Sequence, residues 1–165
     1  MRRMRTKGLM LAAVGGMLLM LAVAGNAQAQ EWAKASGGDV PKSAHAVEKG
    51  VYAVKGDVQT YSGSATYPGV VVKGSDGAEI FTQASKTAVQ DYHVYLPAAR
   101  WCKGSATKAP KGAVVFGKDG GPLYFIRAKI DGNYCYGTFG AVIGAPYVYC
   151  GDMPQEAFSY EALCQ

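Results

Sequence analysis

The segment covering residues 112–128 constrains the fold most, because its pattern predicts a complete β-hairpin. Valine, phenylalanine and tyrosine dominate its two arms, residues 112–116 and 123–128, and such side chains favour strands. Between the arms lies Lys118-Asp119-Gly120-Gly121, whose glycines and aspartate tolerate the positive φ that a tight turn requires. The sequence therefore predicts an antiparallel hairpin with the acid Asp119 at its tip.

A weaker copy of this segment occurs at residues 69–77, 43 positions earlier in the chain. Without a gap, two valines, three glycines and the turn aspartate are identical, so that Asp76 falls on Asp119. A repeat at a fixed spacing indicates two copies of one supersecondary unit packed on each other.

The first 29 residues have the pattern of a cleaved secretory signal of bacterial type. Basic residues open the chain, an apolar run covers residues 9–24, and Ala27-Gln28-Ala29 matches a small-x-small cleavage site. The apolar run is short for a membrane-spanning helix, so a stable membrane anchor is not expected. We expect export to the periplasm or the medium.

Removal of the signal peptide leaves a mature chain with almost no net charge. Four of the 17 basic residues lie in the signal, which leaves 13 against 12 acids, so the basicity gives no reason to expect nucleic acid as a partner. Residues 30–49 are rich in turn formers and are interpreted as a flexible tether. Residues 50–165 then form one domain, with repeat one at about 50–100 and repeat two at about 101–165.

The pattern from residue 51 onward is all β. Short apolar segments alternate with clusters of Gly, Pro, Asn, Asp and Ser, which predicts a sandwich or barrel of two related antiparallel repeats. The candidate strands are residues 51–54, 58–61, 69–73, 78–83, 92–96, 112–116, 123–130, 134–139 and 147–149.

The four cysteines of an exported chain favour disulfides over a metal site. The chain has no Cys-x-x-Cys pair, and only two histidines, so no zinc site is expected. Three pairings are possible, and a hairpin turning near residues 144–146 would place Cys135 opposite Cys150. Cys102 then pairs with Cys164 and joins the start of repeat two to the C-terminus, an arrangement proposed as a hypothesis.

No catalytic constellation is evident, and we expect neither enzymatic activity nor a cofactor. His93 lies in a strand-like segment and His45 in the proposed tether, without the pattern of a nucleophile–base pair. A glycosidase needs two carboxylates facing each other across a cleft, and the available acids show no diagnostic spacing. These acids are Asp119, Asp131, Glu156 and Glu161.

Several elements in order resemble the repeat of the DM-nine family, a domain of unknown function. They are Pro110-Lys111-Gly112-Ala113-Val114, then Gly117-Lys118-Asp119, then Pro122-Leu123-Tyr124 with Arg127-Ala128, and finally Tyr160-Glu161-Ala162-Leu163. The resemblance implies a pseudo-twofold β fold, and members occur as mannose-binding invertebrate lectins and in natterin-like proteins.

In those lectins an aspartate at the hairpin turn and the lysine of a Gly-Lys-Val step bind sugar hydroxyls. The resemblance carries the aspartate to Asp119, with Asp76 as its copy in repeat one. It carries the lysine to Thr138, which departs from the family, and to Tyr95 in repeat one. Tyr136 or Tyr95 could stack on a pyranose ring.

Two functions follow as expectations. The first is an exported, lectin-like module that binds a glycan or cell-surface saccharide at Asp119 and Thr138. The second is an envelope or secreted structural or protein-interaction domain that kept the scaffold and lost the sugar site, as Thr138 would suggest. A competing role for Asp119 is that of an ordinary turn residue, whose side chain caps nearby backbone amides. The sequence does not indicate the oligomeric state.

Overall fold

The computed structural model describes residues 31–140 and 142–165, and it confirms the all-β prediction. Those residues form 13 strands, all paired antiparallel and connected into one sheet, with no helix among them. The strands are β1 Trp32–Ser36, β2 Val51–Thr60, β3 Gly63–Val72, β4 Ala78–Phe81, β5 Lys86–Val89, β6 Asp91–Tyr95, β7 Arg100–Lys103, β8 Val115–Lys118, β9 Pro122–Ile130, β10 Asn133–Gly140, β11 Tyr147–Tyr149, β12 Pro154–Glu156 and β13 Glu161–Cys164.

The predicted signal peptide, residues 1–29, lies outside the described residues. In the part of the chain that is described, no helix has the length and apolarity needed to cross a membrane.

The strands form two repeats with the same pairing pattern. In the first, neighbours follow the order β1-β6-β2-β3-β4-β5, and in the second the order β7-β13-β9-β10-β11-β12. The long hairpin of the first repeat turns between Thr60 and Gly63, and its counterpart turns about 70 positions later, between Ile130 and Asn133. The chain is therefore a duplicated unit, as the sequence predicted.

The duplicated unit has a different spacing from the predicted one. Trp-x-Lys-x-Ser occurs at residues 32–36 and again at 101–105, and Pro-Lys at 41–42 and 110–111, each pair 69 positions apart. A buried tyrosine marks the same point in both units: the Tyr92 hydroxyl donates to the Asp39 carbonyl at 2.9 Å, and the Tyr160 hydroxyl to the Lys108 carbonyl at 3.0 Å.

The 43-residue similarity between 69–77 and 112–120 is therefore not a structural equivalence. Residues 69–72 lie within β3, which continues through a turn to β4, whereas the segment beginning at Gly112 leads into β8 and turns at 119–121. Both segments form hairpins, but at different places in the repeat. Glycine, aspartate and valine suit any tight hairpin, so this similarity is local.

The predicted tether is also wrong for Trp32–Ser36, which form β1 and pair with β6 over five residues. The first repeat accordingly begins near residue 31 and not near residue 50. Trp32 explains the difference, because its ring lies 5.0 Å from the rings of both Tyr95 and Phe116 and anchors the strand in the core.

The core joins the two repeats. One cluster of buried side chains takes Tyr95 and Phe81 from the first repeat and Phe116, Phe125 and Leu163 from the second. Strand β8 connects the repeats by backbone pairing, since it lies between β3 and β9. The clefts described below lie at the surface, between the hairpin turns and strand ends that surround this core.

Both disulfides have the pairing that the sequence predicted. Cys102 is bonded to Cys164 and joins β7 to β13, with Cα atoms 6.1 Å apart. Cys135 is bonded to Cys150 across β10 and the end of β11, with Cα atoms 4.9 Å apart. By the chain-entropy model such crosslinks contribute about 3–5 kcal/mol each.

Candidate functional site: the cleft at Asp119

Asp119 lies in the turn between β8 and β9, as predicted, and its side chain has a partner distant in sequence. Its backbone amide donates to the Gly121 carbonyl at 3.0 Å and closes the turn. Its carboxylate accepts a hydrogen bond from the hydroxyl of Tyr67, which belongs to β3 and lies 52 positions away. The contact that orients this carboxylate is therefore tertiary, in contrast to local capping of a turn.

Tyr67 is a buried donor whose proton is held firmly. The side chain is 5% exposed, and burial, the hydrogen bond and the negative charge of Asp119 together raise the pKa of Tyr67. A tyrosine that keeps its proton remains a donor, so Asp119 Oδ2 stays engaged. The carboxylate is held at one edge and can accept further hydrogen bonds.

Asp119 lines a cleft of about 660 Å³. One wall is the tip of the β2–β3 hairpin, the other is the turn and flanking residues of the β4–β5 hairpin, and Tyr67 and Asp119 complete it. The lining residues are Val58, Gln59, Thr60, Tyr61, Ser62, Tyr67, Thr82, Gln83, Ala84, Ser85, Thr87 and Asp119. Most of these residues carry a hydroxyl or an amide group, and no lysine or arginine occurs among the described lining residues.

Tyr61 gives the cleft an exposed aromatic ring. It occupies the turn of the β2–β3 hairpin, where its relative exposure of 114% leaves both ring faces open to solvent. Thr60 and Ser62 beside it hydrogen-bond to each other at 3.0 Å and brace the turn. A carboxylate, several hydroxyls and an open ring suit an uncharged ligand rich in hydroxyl groups.

Two of the predicted contact residues are corrected by the structure. Thr138 is 0% exposed on β10, paired with Phe125 and Tyr147, so it presents no surface to a ligand. Tyr95 is 2% exposed and packs between Trp32 and Phe116. Thr138 lies at the end of β10, which is buried on both faces, whereas Tyr95 shares a face of β6 with the exposed Asp91 and His93, so alternation alone does not predict that it is buried.

Asp76 and Tyr136 do not lie with Asp119. Asp76 is exposed in the turn between β3 and β4 and is not the structural copy of Asp119. Tyr136 lines a different cleft of about 550 Å³, on the other face of the β4–β5 hairpin. Its hydroxyl donates to Glu48 and its ring stacks on Phe125 at 5.6 Å. Burial and the Glu48 carboxylate raise the pKa of Tyr136.

Sequence reasoning missed most of the cleft around Asp119. Tyr67 could not be identified as its partner, because no local pattern links residues 52 positions apart. The Thr60-Tyr61-Ser62 turn carried a usable signal, since an aromatic residue between two hydroxyl residues at a hairpin tip has no packing role.

The described residues contain no group of three or more His, Cys, Asp or Glu side chains arranged to hold a metal ion. Arg127 forms an ion pair within the fold and contacts Glu161 at 2.7 and 2.8 Å.

Comparison with known proteins gives the family. No curated protein matches the chain. A family model described as "DM9 repeat" matches residues 57–153, a span that includes parts of both repeats and the whole β8–β9 turn. Because this match covers more than half of the chain, the protein belongs to the DM9 (DM-nine) repeat family.

Proposed function

We propose that this protein is an exported, non-catalytic carbohydrate-binding module, lectin-like and of mannose type, whose sugar site is the cleft at Asp119. The observation that carries the proposal is the Asp119 carboxylate, which Tyr67 orients at the wall of a cleft rich in hydroxyls and amides. Membership of the DM9 repeat family supports it, because mannose-binding lectins occur among the members of that family. The two disulfides suit an oxidising compartment.

Recognition would use two kinds of contact. Asp119 accepts hydrogen bonds from two neighbouring sugar hydroxyls, and such charge-assisted bonds are roughly twice as strong as neutral ones. Tyr61 packs its ring against the apolar face of the pyranose. The family lysine has no counterpart at the buried Thr138, so binding depends on Asp119 more than in a site with both charges.

The test is a glycan array with the oxidised mature protein, followed by calorimetry on the best neutral sugar. Asp119→Asn keeps the shape of the side chain and removes its charge, and should weaken binding by about 10- to 100-fold, the equivalent of 1.5–3 kcal/mol. Asp76→Asn is the matched control, an exposed turn acid outside the cleft, and should bind like the parent. Unchanged binding by Asp119→Asn would refute the site.

A second function, a structural or protein-interaction domain of the envelope, is favoured by exposed apolar side chains. Val142, Met153 and Phe158 have relative exposures of 66%, 75% and 89%. Affinity purification from the native envelope, followed by mass spectrometry, tests this alternative. A stoichiometric protein partner together with a silent glycan array supports it, and sugar binding without such a partner contradicts it.

A further inference from the structure

Repeat two contains a row of charges that crosses three neighbouring strands. Lys103 of β7 is paired with Glu161 of β13, which in turn is paired with Arg127 of β9. Glu161 contacts Arg127 at 2.7 and 2.8 Å, and the guanidinium lies 4.3 Å from the centre of the Trp101 ring. The Glu161 carboxylate in the middle of this row thus forms an ion pair with the neighbouring Arg127.

Repeat one has the same row with one change. Lys34 of β1 is paired with His93 of β6, and His93 is paired with Lys55 of β2. The Lys55 ammonium lies 4.0 Å from the centre of the Trp32 ring, which matches the position of the Arg127 guanidinium 4.3 Å from the centre of the Trp101 ring. The cations and the tryptophan are retained, and histidine occupies the position of the glutamate.

The two lysines of this row therefore have no carboxylate between them. Directly paired residues on adjacent strands share one face of the sheet, so Lys34, His93 and Lys55 all point to the same side. Among the described residues, no acid lies within 4.0 Å of either lysine nitrogen. Burial lowers the pKa of Lys55, and Asp57 and Glu31 offset this only in part. The row lacks the anion that its counterpart contains.

A groove of about 430 Å³ opens beside the row, lined by Lys34 and His93 together with Asp57 and Asp91. Asp57 and Asp91 lie two residues along their strands from Lys55 and His93, which places the acids on the same face at a distance of about 7 Å. A ligand in the groove would thus meet Lys34 and His93 at one edge and the acceptor carboxylates at the other, while Lys55 lies outside the lining on the strand next to His93.

We propose that the row Lys34–His93–Lys55 and its groove bind a uronate-type sugar, whose carboxylate takes the position that Glu161 occupies in repeat two. The carboxylate pairs with the Lys34 ammonium and accepts an N–H bond from His93, and Lys55 on the neighbouring strand adds a second positive charge beyond His93. The hydroxyls on the opposite edge of the pyranose ring donate to Asp57 and Asp91. This site is separate from the cleft at Asp119 and shares no lining residue with it.

The test compares galacturonate with galactose, two probes with the same ring arrangement that differ in the carboxylate. Calorimetry or chemical-shift titration of the oxidised mature chain should detect galacturonate binding, and galactose should bind at least 10-fold more weakly. Lys34→Gln and Lys55→Gln should each weaken galacturonate binding by about 10-fold. Lys129→Gln, which removes an exposed lysine from repeat two, is the control and should leave binding unchanged.

The sharpest variant is His93→Glu, because it rebuilds the row of repeat two with its own carboxylate. We expect it to lose galacturonate binding by 10-fold or more and to raise the melting temperature, whereas His93→Gln retains binding within about threefold. Asp119→Asn should leave galacturonate binding intact, so this proposal and the proposed neutral-sugar site fail independently.

Three outcomes would overturn the inference. They are equal affinity for galactose and galacturonate or no binding of either, unchanged galacturonate binding by His93→Glu, and displacement of galacturonate by an equal or lower concentration of inorganic phosphate. If His93→Glu does not fold, the two lysine variants decide the question alone.

Discussion

Arg127 illustrates how a single residue joins several elements of this fold. Its guanidinium lies between the rings of Trp101 and Tyr134, at 4.3 and 4.0 Å from their centres, and contacts Glu161 through two nitrogens. The side chain is 15% exposed, so these contacts are partly desolvated. A flat cation is required here, because only a planar group can stack on a ring and bond a carboxylate at its edge.

We therefore expect Arg127→Lys to destabilise the fold although it keeps the charge. The lysine loses the stacking and one of the two contacts with Glu161, and we expect a loss of about 2 kcal/mol in the free energy of unfolding. Urea denaturation of the oxidised protein measures it. Lys129→Gln on the same strand is exposed and should change stability by less than about 0.5 kcal/mol. Equal stability of Arg127→Lys and the parent would show that stacking contributes nothing.

At the scale of elements, the second hairpin of each repeat packs closely on a glycine. A Cβ on Gly137 of β10 would lie 1.9 Å from the Tyr147 carbonyl oxygen, and a Cβ on Gly69 of β3 would lie 2.2 Å from the Glu79 carbonyl oxygen. Gly137 is paired with Val148 and Gly69 with Ile80, the same position in both repeats. Each glycine permits the next strand to approach.

Gly137→Ala should consequently break the pairing of β10 with β11. Backbone atoms cannot move aside as a flexible side chain would, so we expect a loss of about 3 kcal/mol or more in unfolding free energy. Thermal denaturation with the disulfides intact measures it. Gly151→Ala, where an added Cβ meets nothing within 4 Å, is the matched control and should remain near the parent. A Gly137→Ala variant as stable as the control would contradict the close approach.

The strands and turns show which parts of the fold can be predicted from local sequence pattern. The hairpin of β8 and β9 was predictable, because its turn residues and its strand residues lie side by side in sequence. The duplication was predictable, but the 43-residue spacing rests on glycine, valine and aspartate, which suit any hairpin. The residues that define the repeat, Trp32 with Trp101 and Lys34 with Lys103, have positions set by cross-strand packing, which a comparison of turns does not sample.

The candidate site likewise contains residues that the sequence could predict and residues that it could not. Asp119 was predictable as a turn acid, whereas its partner Tyr67 is set by the pairing of β3 with β8. Thr138 was misplaced because the end of β10 is buried on both faces, so it carries no alternation that separates core from surface. Tyr95 follows the exposed Asp91 and His93 on one face of β6, and only the packing of Trp32 and Phe116 on its ring buries it. Residue type identified the acid, and only the tertiary structure identified what surrounds it.

At the scale of the whole molecule, both repeats bury tyrosines that must remain protonated. Burial raises the pKa of Tyr160 from 10.0 to about 12, with a smaller contribution from Tyr124. Burial and a neighbouring carboxylate also raise the pKa of Tyr67 and of Tyr136, through Asp119 and Glu48. These residues lie on β3, on β10 and just before β13, so the effect belongs to the fold as a whole.

The protein should accordingly lose stability in alkali and not in mild base. Tyrosine ionises near pH 10 in the unfolded chain and at higher pH when folded, so the folded state binds more protons above pH 10. The stabilising contribution of these groups is complete below that pH and declines as the pH rises toward 12. Melting temperatures across pH 7–11.5, together with tyrosinate absorbance, test this. We expect the melting temperature to stay level to about pH 9.5 and to decline steeply above it, and we expect tyrosinate absorbance to rise as the protein unfolds.

Tyr160→Phe should be less stable at neutral pH, and its melting temperature should decline less steeply in alkali, because the variant lacks one of the groups that ionise on unfolding. A melting temperature that stays level from pH 9.5 to 11.5, or full tyrosinate absorbance in the folded protein at pH 10.5, would show that these hydroxyls are open to solvent.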